Sequence, residues 1–173
     1  MERVIQVLDD MVRDDIIEDY VVGGATAVLY FSVPNFITED IDVFVYLKGK
    51  PTSSIIDFSP LYDYVLSKKN ASIQGEYIIV EGFPVQFLIP YDNLSKEAFE
   101  KAIPVSTPTT RFKIFDLEYS MAIMIQFGKE KYVERLRTLL KHRLFDSKKL
   151  DSLLERFNLT SKWLGLKKQL EGV

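Results

Sequence analysis

The chain of 173 residues contains no cysteine and a single histidine, His142. Without cysteine there can be no disulfide bond and no thiolate metal site, and a reducing cytosol is the expected compartment. One histidine also excludes a zinc site that takes several histidines from one chain. A Ser-His-Asp hydrolase would have to use His142, which lies in a charged run, Lys141-His142-Arg143. We expect His142 to be a surface residue near a helix end instead.

Long apolar runs are absent as well. The first ten residues, MERVIQVLDD, carry acids where a secretory signal peptide needs an apolar core, and no apolar run approaches the roughly 20 residues of a membrane span. We therefore predict a soluble, cytoplasmic protein with no membrane partner. Hydrophobic residues nevertheless make up 47% of the chain, which is enough for the core of one domain with a helical appendage.

The formal net charge of -3 conceals an uneven distribution. Residues 1–115 carry ten Lys and Arg against seventeen Asp and Glu, whereas residues 116–173 carry twelve against eight. The apolar pattern changes at the same place, from mixed strands and helices to helices alone. We predict an α/β core over residues 1–115 and a helical segment over 116–173 that packs on it, with a basic side that could face an anionic ligand.

Periodicity predicts the individual elements. Helical spacing indicates helices over 2–15, 25–31, 55–66, 95–102 and 116–127, followed by three more that begin near 129, 147 and 160. Ser95, Asp116, Ser147 and Thr160 are the expected caps. Alternation and β-branched content indicate strands over 20–22, 40–47, 76–80, 83–89 and 111–115, of which the third and fourth form a hairpin. Loops or turns are expected around Pro34 and over 48–51.

The most informative stretch runs from Tyr20 to Leu47 and reads YVVGGATAVLYFSVPNFITEDIDVFVYL. It joins a short strand, the turn Gly23-Gly24, a helix of small residues, and a strand that places Asp40 and Asp42 on one face. Neighbouring carboxylates on a largely buried strand repel each other, so we expect a cation between them. Two carboxylates supply hard oxygen ligands for Mg²⁺, and a glycine turn before a helix offers backbone N–H groups to a phosphate.

The segments VGG at 22–24 and TEDIDV at 38–43 together resemble the signature of the DNA polymerase β-type nucleotidyltransferase superfamily. The chain is most similar to the small bacterial and archaeal members related to AbiEii toxins and minimal nucleotidyltransferases. This resemblance implies an α/β (α+β) fold, with a nucleotidyltransferase-like mixed sheet flanked by helices and a C-terminal helical segment. It also implies binding of a nucleoside triphosphate with Mg²⁺ or Mn²⁺, and nucleotidyl transfer to a hydroxyl group on RNA or protein.

The resemblance assigns roles to particular residues. Gly23 and Gly24 match the phosphate-binding turn, with Thr38 nearby as a further nucleotide-binding residue, and Asp40 and Asp42 match the catalytic, metal-binding pair. The run at 128–136, GKEKYVERL, resembles the basic helical segment that lies over the nucleotide, and it assigns Lys129 and Lys131 to nucleotide binding. The neighbouring Arg135 and Arg137 are candidates to hold triphosphate or an RNA backbone, but they alternate with Glu130 and Glu134 at ion-pair spacing, which favours an ordinary solvated helix face.

Two positions depart from the family pattern. Gln86 stands where active members carry a third carboxylate, and glutamine is a poor Mg²⁺ ligand that cannot act as a general base. Glu81 replaces it only if the hairpin turn bends the chain suitably. AbiEii relatives often have Lys-Asp where this chain has Lys131-Tyr132. The alternative is therefore a degenerate nucleotide-binding module, or one partner of a toxin-antitoxin pair, while the paired aspartates argue against a purely structural protein.

Overall fold

A seven-stranded mixed sheet forms the centre of the protein, in a computed structural model that describes residues 1–31, 38–48, 56–68, 70–75 and 77–171. The described strands are Ile17–Val22 (β1), Ile41–Leu47 (β2), Ala71–Gln74 (β3), Tyr77–Val80 (β4), Phe83–Leu88 (β5), Ile103–Ser106 (β6) and Arg111–Ile114 (β7). Their order is β3-β4-β5-β2-β1-β7-β6. The pairs β2–β5 and β1–β7 are parallel and the remaining neighbours are antiparallel.

Eight helices flank the sheet within the described ranges. They are Glu2–Arg13 (α1), Gly24–Leu29 (α2), Ser59–Leu66 (α3), Asn93–Glu100 (α4), Leu117–Phe127 (α5), Glu130–His142 (α6), Ser147–Arg156 (α7) and Thr160–Glu171 (α8). The α/β fold with a mixed sheet that the sequence predicts is thereby confirmed. Among the residues described, none of the helices combines the length and apolar character that a membrane span needs.

Strand β2 lies deep in the sheet, between β5 and β1. Val43 and Val45 are fully buried on one of its faces, and Phe44 is almost fully buried on the other. Burial on both faces explains why the strand is apolar at nearly every position. Asp42 is the exception, so the strand carries a carboxylate into the interior of the protein.

Helix α5 connects the sheet to the C-terminal helices. Asp116 caps its start by accepting a hydrogen bond from the Leu117 N–H, and Gly128 ends it in the left-handed conformation, with φ of 61°. The helix is apolar around most of its circumference and packs against α2, α4, α6, α7 and α8. It is therefore a buried helix of the kind whose sequence has no polar stripe.

Several predicted boundaries and caps were wrong. Asp92, and not Ser95, caps α4, because the Asp92 carboxylate and the Ser95 hydroxyl form a reciprocal capping box. Asp146, and not Ser147, caps α7. Strand β1 begins at Ile17 and not at Tyr20, and strands β3 and β6 were not predicted. The predicted loop at 34–35, most of the turn at 48–51 and the first residue of the helix at 55–66 lie outside the described residues.

Candidate functional site

The turn at Gly23 is tied directly to the aspartate strand. The Gly23 N–H donates to the Asp42 carbonyl oxygen at 2.9 Å, while the Gly23 carbonyl accepts from the Ala27 N–H at the start of α2. A Cβ atom on Gly23 would lie 2.5 Å from the Phe44 ring and 3.1 Å from the Phe115 ring. Glycine is required here for close approach, and its N–H is already used, so it is not free for a phosphate.

Gly24 lies against the Asp42 side chain. Its φ is +55°, a conformation that residues with a Cβ rarely adopt, and an added Cβ would lie only 1.7 Å from Asp42 Oδ2. The carboxylate of β2 therefore sits over the backbone of the glycine turn. The structure brings together the two halves of the motif that the sequence places eighteen residues apart.

Asp40 is held by three hydroxyl groups just before β2 begins. Thr38 Oγ1 and Thr26 Oγ1 donate to the Asp40 carbonyl oxygen at 2.8 and 3.0 Å. Thr38 Oγ1 also lies 3.2 Å from Asp40 Oδ1, and the Tyr77 hydroxyl donates to Asp40 Oδ2 at 3.4 Å. Thr38, predicted as a nucleotide-binding residue, thus contacts Asp40. Thr26 and Tyr77 were not predicted as site residues, because only the folded chain brings them to Asp40.

A cavity of about 260 Å³ opens beside Asp42, between the sheet and the C-terminal helices. The start of α2 contributes Gly24, and the sheet contributes Asp42, Phe44, Tyr77, Gln86 and Leu88. The segment after β5 and the start of α4 contribute Ile89, Tyr91, Asp92 and Ser95. Residues at the end of β7, on α5 and at the start of α6 form the rest: Phe115, Ser120, Ile123, Met124, Gln126, Phe127, Lys129, Lys131 and Tyr132. The lining combines aromatic and aliphatic side chains with carboxylate, amide, hydroxyl and ammonium groups, and a concave site of this kind can hold a small polar molecule.

Two polar groups in the cavity wall differ in how they are satisfied. Gln126 donates to Asp92 Oδ2 at 2.8 Å, which joins α5 to the start of α4. Within the described part of the chain, the Ser120 hydroxyl is the buried side-chain polar atom that has no hydrogen-bond partner. An unsatisfied buried hydroxyl reduces the stability of the fold unless a ligand or water completes it.

The charge of Asp42 is costly in this position. Burial, and then the neighbouring carboxylate of Asp40, raise the pKa of Asp42 to about 6, while the cations Lys131 and Arg135 oppose the shift. Burial also raises the pKa of Tyr132, with a further contribution from Asp42. A bound cation would remove the repulsion between the two carboxylates.

The start of α6 supplies the positive charge. Lys129 and Lys131, both predicted from the sequence, line the cavity, and their Nζ atoms lie 5.8 Å from the Phe127 ring and 5.4 Å from the Tyr132 ring. Arg135 is half-buried and lies 5.8 Å from the Tyr132 ring. It acts on Asp42 and so does not lie on the ordinary solvated face that the interleaved charges predict, because its orientation depends on how α6 packs.

Arg137 lies differently from Arg135. Its guanidinium donates to Glu134 at 2.5 Å, one turn earlier on the same helix. This is the ordinary helix ion pair that the interleaved charges predict.

Gln86 is directly opposite Asp42. The two residues pair in register where β5 runs parallel to β2, and both line the cavity. Glu81 does not replace it, because its carboxylate accepts from Asn70 at 3.0 Å and pairs with Arg3 at 3.4 Å. Among the described residues, no group of three or more His, Cys, Asp or Glu converges on one point. Strands β2 and β5 and the residues just before β2 therefore offer the carboxylates of Asp40 and Asp42 and the amide of Gln86, while the Asp92 carboxylate is held by Ser95 and Gln126.

The residues present fit a hard divalent cation such as Mg²⁺ or Mn²⁺. Asp40 and Asp42 offer carboxylate oxygens, the ligands that these ions prefer, and their mutual repulsion needs a positive charge to balance it. Two protein ligands are enough for Mg²⁺ when water and substrate phosphates supply the others.

Solved structures of other proteins share the architecture of the chain. One is the crystal structure of an antigenic nucleotidyltransferase-like protein from Paracoccidioides brasiliensis, with a TM-score of 0.57, 18% identity, and 97% of this chain and 90% of that chain covered. This chain has a nucleotidyltransferase fold. The antibiotic-resistance factor ANT(2'')-Ia has the same fold, with a TM-score of 0.52, 12% identity, and 98% and 96% of the chains covered. No protein-family model and no curated protein sequence matches the chain.

Within this nucleotidyltransferase fold, the predicted site residues fall into two groups. Gly24, Asp42, Lys129 and Lys131 line the cavity. The other three lie beside it: Gly23 beneath the aromatic rings, and Thr38 and Asp40 joined to each other by hydrogen bonds.

Proposed function

We propose that the protein binds a nucleoside triphosphate with Mg²⁺ or Mn²⁺ and transfers a nucleotidyl group to a hydroxyl on RNA or protein. The observation that carries this proposal is the meeting of Gly24, Asp42 and Lys131 in one cavity. A glycine backbone, a carboxylate that needs a cation and a lysine ammonium are together complementary to a metal-bound phosphate chain. Similarity to AbiEii-type and minimal nucleotidyltransferases is part of the same proposal.

The side chains have two roles in this proposal: some neutralise the phosphate charge, and others shape the cavity around the nucleoside. Asp40 and Asp42 would hold the divalent cation, which neutralises the triphosphate and aligns the attacking and leaving oxygens. Lys131 and Arg135 approach from α6 and attract the remaining phosphate charge. The apolar wall, which includes Met124, excludes water from the nucleoside.

The transfer itself makes few demands on the protein. The acceptor oxygen forms a bond to the α-phosphorus, the bond from that phosphorus to the bridging oxygen breaks, and pyrophosphate leaves while the hydroxyl proton passes to a base. Positioning and charge supply most of the catalysis in such reactions.

Equilibrium binding of labelled nucleoside triphosphates tests this proposal. The wild-type protein should bind them in the presence of Mg²⁺, and chelation of the metal should abolish binding. Asp40→Asn and Asp42→Asn should each reduce affinity at least tenfold, whereas Asp63→Asn, an exposed aspartate on α3, should have no effect. Absence of binding by the wild-type protein, or equal binding by all four proteins, would refute the proposal.

A second candidate is a degenerate nucleotide-binding module, including one partner of a toxin-antitoxin pair. Gln86 favours it, because an amide faces Asp42 at the position of the third acid. If this reading is correct, wild-type protein binds nucleotide without turnover and Gln86→Asp gains transferase activity with labelled acceptors. Transfer by the unmodified protein would exclude it.

A further inference from the structure

A second concave region lies on the C-terminal helices. It has a volume of about 590 Å³ and lies between α6, the connection to α7, and α8. Four cationic side chains surround it: Arg137, Lys141, Arg143 and Lys167. We call this region the basic cleft. No Asp or Glu is among the described residues that line it, although the chain as a whole has a net charge of -3.

The floor of the basic cleft is apolar. Leu140, Phe145 and Leu170 line it between the cationic side chains. Clefts that combine an aromatic floor with cationic rims suit single-stranded nucleic acid, because bases stack on the ring while the cations follow the phosphates. A flat anionic membrane fits less well, since a plane cannot enter a concave surface to reach Phe145.

Helix α6 connects the basic cleft to the candidate nucleotide site. Lys131 and Arg135 are four residues apart and share one helix face, from which both act on Asp42. Arg137 and Lys141 are also four residues apart and line the cleft. A helix turns by about 100° per residue, so the face of Arg137 and Lys141 is rotated by about 120° around the helix axis from the face of Lys131 and Arg135. Along the axis, Arg137 lies about 9 Å from Lys131.

We propose that the basic cleft binds single-stranded nucleic acid. Cations lie on two faces of the same helix, one lining the cleft and one bordering the cavity beside Asp42, with Glu134 between them. A strand bound in the cleft therefore lies against the helix that also borders the nucleotide site. If the proposed transferase function is correct, on which this last step rests, the strand is the acceptor and its terminal hydroxyl reaches the site. The cleft itself requires only that phosphates meet Lys141, Arg143 and Lys167, since Arg137 pairs with Glu134.

Fluorescence anisotropy with short labelled RNA and DNA strands tests the cleft in the full-length protein. The test variant combines Lys141→Glu with Lys167→Glu. The matched control combines Lys148→Glu with Lys168→Glu, which changes the net charge equally at exposed positions outside the cleft. Loss of two phosphate contacts should lower the salt slope by about 1.4, which corresponds to roughly 25-fold weaker binding at 0.1 M salt. The control should change affinity much less.

Two further measurements, of triphosphate binding and of vesicle binding, separate the possible results. Nucleoside triphosphate binding should be the same in both double variants, which shows that the fold and the nucleotide site are intact. The proposal that the cleft binds nucleic acid would be wrong if the wild-type protein did not bind the strands, or if both double variants lost the same affinity. This holds even if the protein binds triphosphate. If strand binding depends on the cleft cations but no triphosphate binds, the result would support nucleic-acid binding by the cleft and refute the proposed transferase function. Binding to anionic vesicles but not to the strands would refute the proposal and show that the cleft cations contact a membrane surface.

Discussion

Replacing Asp42 with asparagine should stabilise the protein in the absence of ligand. The side chain keeps its shape but loses a charge that the fold holds at a cost. The pKa of Asp42 is raised from 3.8 to about 6, chiefly by burial and then by Asp40. A shift of this size corresponds to about 3 kcal/mol between the two protonation states. Because the new amide must still find partners, we expect a gain of about 1–3 kcal/mol at pH 7.5.

The same argument fixes the dependence on pH. A carboxyl group with a raised pKa in the folded state binds protons more tightly there than in the unfolded chain, so stability falls as pH rises from about 4 to about 6. The difference between Asp42→Asn and wild type should therefore be small below pH 4 and reach its full value above pH 6. Asp63→Asn, on exposed α3, should show no such window.

Urea denaturation followed by circular dichroism measures both effects. Titrations at pH 3.5, 5 and 7.5 give the free energy of unfolding for each protein, and a constant m-value shows that the unfolded state is unchanged. Adding Mg²⁺ should stabilise the wild-type protein but not Asp42→Asn, so the difference between their free energies of unfolding should become smaller. An Asp42→Asn protein less stable than wild type at pH 7.5, or a gap independent of pH, would refute the reasoning.

Three other substitutions test the surroundings of the site. Gly24→Ala should lower the free energy of unfolding, measured by urea titration, by at least about 2 kcal/mol more than Gly75→Ala does. Both glycines have positive φ, but only at Gly24 does the added methyl group lie 1.7 Å from a carboxylate oxygen. Equal losses of stability in the two variants would contradict this clash. Glu118→Ala should destabilise by about 2–3 kcal/mol, since the buried carboxylate accepts from the backbone at the start of α7 at 2.7 Å and pairs with Lys149 at 3.0 Å; a loss under about 0.5 kcal/mol would show that the pair is dispensable. Ser120→Ala should raise stability by up to about 1 kcal/mol in thermal melts, because it removes an unsatisfied hydroxyl; a lower melting temperature would show that the hydroxyl has a partner.

The parts of the site that are close in sequence could be predicted. The alternation of Asp40 and Asp42 in an apolar strand and the glycine pair before a helix depend on local rules of backbone geometry. The position of Gln86 beside Asp42 followed from the family resemblance, and the parallel pairing of β2 with β5 places it there. Local patterns thus located the charges and the turn.

The contacts that bind distant segments together could not be predicted. Arg135 is one of several cations on α6, and only the packing of that helix turns it towards Asp42. Glu118 looks like an ordinary acid in the first turn of a helix, yet it is buried against the start of α7. Strand β3 has exposed side chains at most of its positions, so it lacks the alternation that marks a half-buried strand.

Helix α5 has a consequence for the order in which the cavity forms during synthesis. Gly24 and Asp42 leave the ribosome long before Ser120 and Met124, which form the opposite wall. Because these segments are synthesised first, β1, β2 and the glycine turn are all available before the α5 wall exists. A nascent chain then holds the charged groups in open water, where their repulsion is weak. The burial that raises the pKa of Asp42 is complete only after the cavity walls on α5 and α6 have packed against the sheet, so metal and nucleotide should assist these packing steps.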